Sequence, residues 1–259
     1  MGEFFGFGGY QRPAEGYFSW QHLLFVTLVM IVMVTLAVYF GRKNRNASMT
    51  EKNKVMIAAA LLIDGFEIFK LVIFCLRSGE ISDLLYNLPL FLCSIQLITI
   101  PLAAFSTGRV KEAALDFVSI FGLLGAVLGT YLAGNNYSAY PVLSVDNVVS
   151  AITHSISGFA ALYILISGMA SMKKQNIGIT FGILFFFGIC AYVANIFTDC
   201  NYMFLSRGDG TPYDILLNLV GGHPVIYPLS VMALFVVYII GFYWIYFLII
   251  SKKHQPVTA

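Results

Sequence analysis

Two side chains in this sequence have the chemistry of an acyl-transfer pair: Cys93, in "LPLFLCSIQL", and His154, in "AITHSISGFAALY". A thiol becomes an effective nucleophile when a nearby base takes its proton or a positive field favours the thiolate. With a third group orienting the imidazole, such a pair is the minimal apparatus for attack on an ester or thioester carbonyl. Gln96 lies three residues beyond Cys93, and Glu67 and Asn195 are further candidates to orient the ring or donate hydrogen bonds. The residue types alone do not choose among them. In "LLIDGFEIFKLV", Asp64, Glu67 and Lys70 recur at intervals of three, close enough to share a helix face. His22 sits near the start of the first apolar run, His223 is expected in a loop and His254 in a solvated tail. The plainer readings are that Cys93 fills space as a small apolar residue and that Glu67 and Lys70 neutralise each other along one helix.

The elements that must position these residues are membrane helices. Of 259 residues, 59% are hydrophobic and 11% charged, with a mean hydropathy of +0.82, whereas soluble domains carry about 25% charged residues. A net charge of +2 without a dense basic run gives no reason to expect a nucleic-acid partner. Spanning the hydrocarbon takes about 20 apolar helical residues. Seven such runs are expected, at 19–41, 55–76, 88–106, 114–133, 146–170, 178–199 and 226–250, with Pro89 starting the third. The sequence thus predicts an all-α, seven-helix transmembrane bundle over 19–251, preceded by segment 1–18 and followed by tail 252–259. The N-terminus lacks the basic start and cleavage site of a removed signal peptide, so the first run is expected to remain.

Lys and Arg orient the runs, because short basic loops stay cytoplasmic. Arg42, Lys43, Arg45, Lys52, Lys54, Arg109, Lys111, Lys173, Lys174, Lys252 and Lys253 fall on one side, against Arg12, Arg77 and Arg207 on the other. The N-terminus is therefore expected outside and the C-terminus in the cytoplasm. On that topology Cys93 lies roughly 8 Å and His154 roughly 12 Å below the outer surface. Glu67, Lys70, Gln96, Asn195 and His22 fall in the same outer half, and the cytoplasmic half holds almost nothing ionisable. Because polar groups within spans face the bundle interior or a wet cavity, this asymmetry predicts a pocket open to the outer leaflet. A transport pathway would be lined on both sides of the midplane, although a small-solute transporter, with Glu67 carrying a proton, is the rival expectation. A seven-helix receptor ranks behind both, its loops being short for that role. No metal-ligand spacing or phosphate-binding glycine loop occurs, so neither a metal nor another cofactor is expected. Cys75 and Cys200 are both expected near the outer surface, without a geometric warrant for pairing. Gly125 and Gly129, like Gly178 and Gly182, form GxxxG pairs that permit close helix approach.

The chain also resembles a known family. "FSWQHLLFVTL", "LLIDGFEIFKL", "LPLFLC", "HSISGFAALYILISG" and "NYMFLSRGDGTPYDILLNLVGGHPVIYPL" are, in this order, similar to segments of the YwaF-like bacterial integral membrane proteins, which are related to animal transmembrane protein 164. The resemblance implies seven helices, a bacterial plasma-membrane location and, from the animal member, an acyltransferase acting on phospholipids or lysophospholipids through Cys93 and His154, so the leading expectation is a membrane-embedded lipid acyltransferase or lipid-ester hydrolase. Asn201 and Tyr202, in the last of these segments, join the candidate substrate-binding residues. The bacterial pattern reads "LPLHLC" where this chain has Phe91. Residues two apart on a helix point to different sides, so that change need not disarm Cys93.

Overall fold

The computed structural model describes residues 2–170 and 172–253. Among the described residues there is no strand. The longer helices, in chain order, are α1 (Trp20–Lys43), α2 (Met49–Ser78), α3 (Gln96–Phe105), α4 (Gly108–Tyr131), α5 (Val145–Ser167), α6 (Ile177–Phe197) and α7 (Ile226–Lys253). Lys252 and Lys253, expected to begin the tail, continue α7, while His254 and the rest of the tail lie outside the described residues. The described residues form two compact units that meet in sequence at about residue 171, with α1 to α5 in the first and α6 and α7 in the second.

Five helices, α1, α4, α5, α6 and α7, are long and apolar enough to cross a membrane, which makes this an integral membrane protein. The remaining two differ for reasons visible in their residues. α2 has 30 residues, but Asp64, Glu67 and Lys70 interrupt its apolar stretch. α3 has only 10 residues, about 15 Å of helix at 1.5 Å per residue. The sequence places the start of that third helix at Pro89, with Cys93 inside it, and the structure corrects this. Residues 91–95 form tight turns, closed by Ile95 N–H to the Phe91 carbonyl (3.0 Å), Gln96 N–H to Cys93 (3.3 Å) and Leu97 N–H to Ser94 (3.0 Å). Pro89 offers no N–H to a helical ladder, and the turns press Cys93 against α4, where a β-carbon on Gly125 would lie 3.6 Å from the Cys93 Cα. Tertiary packing thus wins over helical propensity.

α5 is the central helix of the first unit, packed against α4, α1 and α2 and touching α3. Its start is set by Ser144, whose side chain accepts the Asn147 N–H, a standard N-cap arrangement. Its end is set by Gly168 at φ 74°, a left-handed C-cap that suits glycine and stops the helix before the expected residue 170. Between α2, α3, α4 and α5 lies a core of small and branched side chains, including Ala59, Ala60, Ile63, Ala103, Ala114, Val118 and Ala160. Small residues let helices approach closely where lipid supplies no hydrophobic drive between them. α1 turns His22, Val26, Met30, Met33, Ala37 and Gly41 inward, one stripe at intervals of three and four, and leaves Leu24, Leu28, Ile31 and Val32 exposed.

An ion pair fastens the N-terminal segment to this unit. Arg77 at the end of α2 grips Asp146 at the start of α5 with both arms, Nη1 to Oδ2 at 2.9 Å and Nη2 to Oδ1 at 2.8 Å. The Tyr10 hydroxyl donates to the same carboxylate, and Phe4 and Phe5 pack beside Ile73, Val145 and Val149. Burial, with the hydrogen bond to Asp146, pushes the Tyr10 hydroxyl from 10.0 up to about 12. The folded state therefore holds the proton more tightly than the unfolded chain. That contribution to stability is complete below the unfolded value of 10.0 and lost as pH rises through about 12. The expected result is a step of destabilisation over this interval in thermal unfolding, present in the parent and missing from Tyr10→Phe.

Candidate functional site

The first unit contains a small cavity of about 40 Å³, little more than the share of one liquid water. α2 supplies Ile63, Glu67 and Lys70 to its wall, the turns before α3 supply Cys93 and Ser94, and α5 supplies Ser150, Thr153, His154 and Ser157. The lining is unusually polar for the interior of an apolar bundle, and such groups are retained within membranes mainly where they function.

Cys93 and His154 thus face one space, and thiol and imidazole are each other's main side-chain hydrogen-bonding and charge partner. On the far side of the ring, His154 Nδ1 lies 2.7 Å from the Ser150 carbonyl oxygen. A carbonyl only accepts, so Nδ1 carries the proton and Nε2 is left with its lone pair, the form that can take a proton from a thiol. Ser150 Oγ lies 3.4 Å from the same nitrogen. The orienting group is therefore a backbone carbonyl one turn earlier on α5, rather than any of the side chains proposed from the sequence.

Glu67 and Lys70 form an ion pair of 2.7 Å, with side chains only 14% and 16% exposed. Pairing offsets part of the cost of holding either charge away from water. The Lys70 ammonium is close enough for its charge to act on His154. α4 contributes no cavity side chain but shapes the site. A β-carbon on Gly129 would fall 2.1 Å from both Cδ2 and Nε2 of His154, and one on Gly125 would lie 3.3 Å from the Cys93 Cβ. The second pair, Gly178 and Gly182, has nothing within 4 Å of either position, so close approach is achieved by the first pair alone.

The other candidates lie elsewhere. Gln96 is 0% exposed, accepts from Thr99 Oγ1 at 3.2 Å, and has a buried Nε2 without a partner; it is not on the cavity wall. His22 has both ring nitrogens engaged: Nδ1 accepts the Phe18 N–H at 3.2 Å and Nε2 donates to the Thr130 carbonyl at 3.0 Å. Its ring stacks on Tyr137 with centroids 3.8 Å apart. It braces the entry to α1 against the end of α4. His22→Ala is accordingly expected to lower the melting temperature in detergent while leaving the activity of the folded fraction unchanged, as measured by turnover normalised to monodisperse protein.

In the second unit, Asn195, Asn201 and Tyr202 organise one loop. Asn195 receives the Tyr202 N–H at 2.7 Å and donates to its carbonyl at 3.1 Å. Asn201 Oδ1 accepts from Ser206 N (3.0 Å), and Nδ2 donates to the Arg207 carbonyl (2.6 Å) and Asp209 (2.7 Å). Cys75, Cys93, Cys190 and Cys200 are free thiols. Among the described residues no cluster of three or more His, Cys, Asp or Glu side chains is placed to hold a metal ion.

Sequence reasoning missed Ser94, Ser150, Thr153 and Ser157. One signal was available: Asp146, Ser150 and His154 stand four apart, on one face of a helix.

A helical membrane protein with a polar, thiol-containing cavity is the class that fold and site define. The TMEM164 family matches residues 17–254, and the chain belongs to that family. No curated protein and no solved structure matches it.

Proposed function

We propose that this protein transfers acyl groups of membrane phospholipids, with Cys93 as nucleophile and His154 as general base. The observation that carries the reading is the shared cavity, in which an imidazole with a free Nε2 lone pair faces a thiol. Nε2 takes the thiol proton as sulfur attacks the acyl carbonyl of a phospholipid. The ester C–O bond then breaks, the leaving alkoxide takes the proton from the imidazolium, and the acyl group remains on Cys93 as a thioester. A lysophospholipid hydroxyl, or water in a hydrolase, attacks next. Imidazole accepts its proton, the C–S bond breaks and the thiol is reprotonated. The Lys70 ammonium favours the negative charge that develops at each carbonyl, as preorganised positive groups do in acyl-transfer sites. Glu67 keeps that ammonium in place.

The topology proposed with this chemistry has seven crossings, N-terminus outside. α2 joins the five apolar helices as a crossing in which Glu67 and Lys70 pair with each other on the cavity wall. The turns at residues 88–95 complete the depth that α3 alone does not reach, since non-helical backbone is tolerated within a membrane where protein buries it. Cys93 and His154 then lie toward the outer leaflet, and a bacterial plasma membrane is the proposed location.

The test supplies isotope-labelled phospholipid and lysophospholipid to the purified protein in bilayers. Acyl transfer is read together with the hydroxylamine-labile mass of an acyl group on Cys93. Transfer that is undiminished in Cys93→Ala would remove the assignment. Gradient-driven solute uptake without acyl turnover would replace it with transport.

A further inference from the structure

The GxxxG pair in α4 does more than bring two helices together. Ala126 and Thr130, three residues before Gly129 and one after it, are both 0% exposed, and α4 makes its most extensive packing with α5. The α4 backbone is therefore held on its buried face by that packing, with Val127 and Leu128 on its exposed face. The His154 ring lies against it, with Cδ2 and Nε2 each 2.1 Å from where a Gly129 β-carbon would be, well inside the 3.5–4.0 Å at which carbon atoms rest. The opposite ring edge is tied to the Ser150 carbonyl at 2.7 Å. The imidazole is thus clamped between a hydrogen bond on its own helix and a missing side chain on the next.

We propose that Gly129 is a positioning residue for His154: the space left by its absent side chain holds Nε2 at the Cys93 thiol. Gly125, one turn earlier on α4, does the same for Cys93 more loosely, since a β-carbon there meets the Cys93 Cβ at 3.3 Å and needs a shift of only a few tenths of an ångström. The proposal rests on the reading of Cys93 and His154 as nucleophile and base. Displacing the ring by more than 1 Å takes Nε2 out of line with the sulfur, a misplacement that costs about 100-fold in rate.

The experiment measures Cys93 alkylation by iodoacetamide across pH, resolved from the other thiols by peptide mass spectrometry, alongside acyl transfer. Gly129→Ala is expected to give the pH profile of His154→Ala and to lower kcat by about 100-fold with KM unchanged. Gly125→Ala should fall between it and the parent, and Gly182→Ala should match the parent. In a double-mutant cycle, Gly129→Ala added to His154→Ala should change nothing further, because the ring it displaces is gone. If Gly129→Ala alone does not fold, recovery of folding in the double variant supports the clamp, and failure of both overturns it. A parent-like profile in Gly129→Ala, a parent profile that already equals that of His154→Ala, or additive losses in the cycle each overturn it as well. Absence of acyl turnover in the parent counts against the proposed function alone, because alkylation reads the contact between thiol and imidazole directly.

Discussion

Cys93→Ala and His154→Ala are each expected to lower acyl transfer by about 1,000-fold or more, and the double variant is expected to be no slower than the worse of the two. General bases contribute about 100- to 10,000-fold, and residues that act as a unit give strongly non-additive losses, because half of a pair has nothing left to do. The pairing follows from where the groups sit. Nδ1 is committed to Ser150, which leaves the Nε2 lone pair to act toward the thiol. The thiol in turn has His154 as its foremost side-chain partner in the cavity. His154→Gln places an amide in the same space without a base of comparable strength, so it should fail as fully as alanine. The measurement is kcat for labelled acyl transfer in bilayers, normalised to folded protein. Losses that multiply in the double variant would mean that the two side chains act in separate steps or at separate sites.

What could be read in the residues divides along physical lines. The long apolar runs that became α1, α5, α6 and α7 announce themselves because lipid rewards unbroken hydrophobicity over about 20 residues. The start of α3 does not. Residues 88–95 wind as turns that set Cys93 against Gly125, a tertiary arrangement invisible to local pattern. Cys93 and His154 were legible as candidates because a thiol and an imidazole stand out against an apolar background, and Glu67 and Lys70 because their spacing of three matches the helix.

The rest of the site was hidden for two reasons. The group that orients the imidazole is the Ser150 carbonyl, and every residue has a carbonyl, so no side chain marks it. The clamp against the ring is Gly129, and a glycine in a membrane helix reads first as a packing residue. Conversely, His22, Asn195 and Asn201 stood out by type, yet each meets its hydrogen-bonding capacity in local architecture. Buried polar side chains must find partners whether or not they touch a substrate, so rarity in an apolar run marks constraint before it marks function.

The largest expected effect on stability falls outside the cavity, at Arg77. Arg77→Ala is expected to destabilise the protein by about 3 kcal/mol, because removing one partner of a buried ion pair leaves the other charge uncompensated. Asp146 is only 3% exposed in its side chain, against 22% for Arg77, so the carboxylate is the member that cannot recover its solvation. It would retain the Tyr10 hydroxyl but lose both guanidinium bonds. The same guanidinium lies over the Phe74 ring at 4.9 Å and reaches the Phe5 carbonyl at 3.5 Å, so its loss also loosens the N-terminal segment. Arg77→Lys keeps the charge but cannot reproduce the two-armed geometry and should fall between. Arg77→Ala with Asp146→Ala should be more stable than Arg77→Ala alone, since the stranded charge is then absent. Reversible unfolding in detergent micelles would measure the series. An Arg77→Ala protein as stable as the parent would mean that the N-terminal segment and the α2 and α5 ends are held by their phenylalanine and valine contacts, and that the ion pair adds nothing to them.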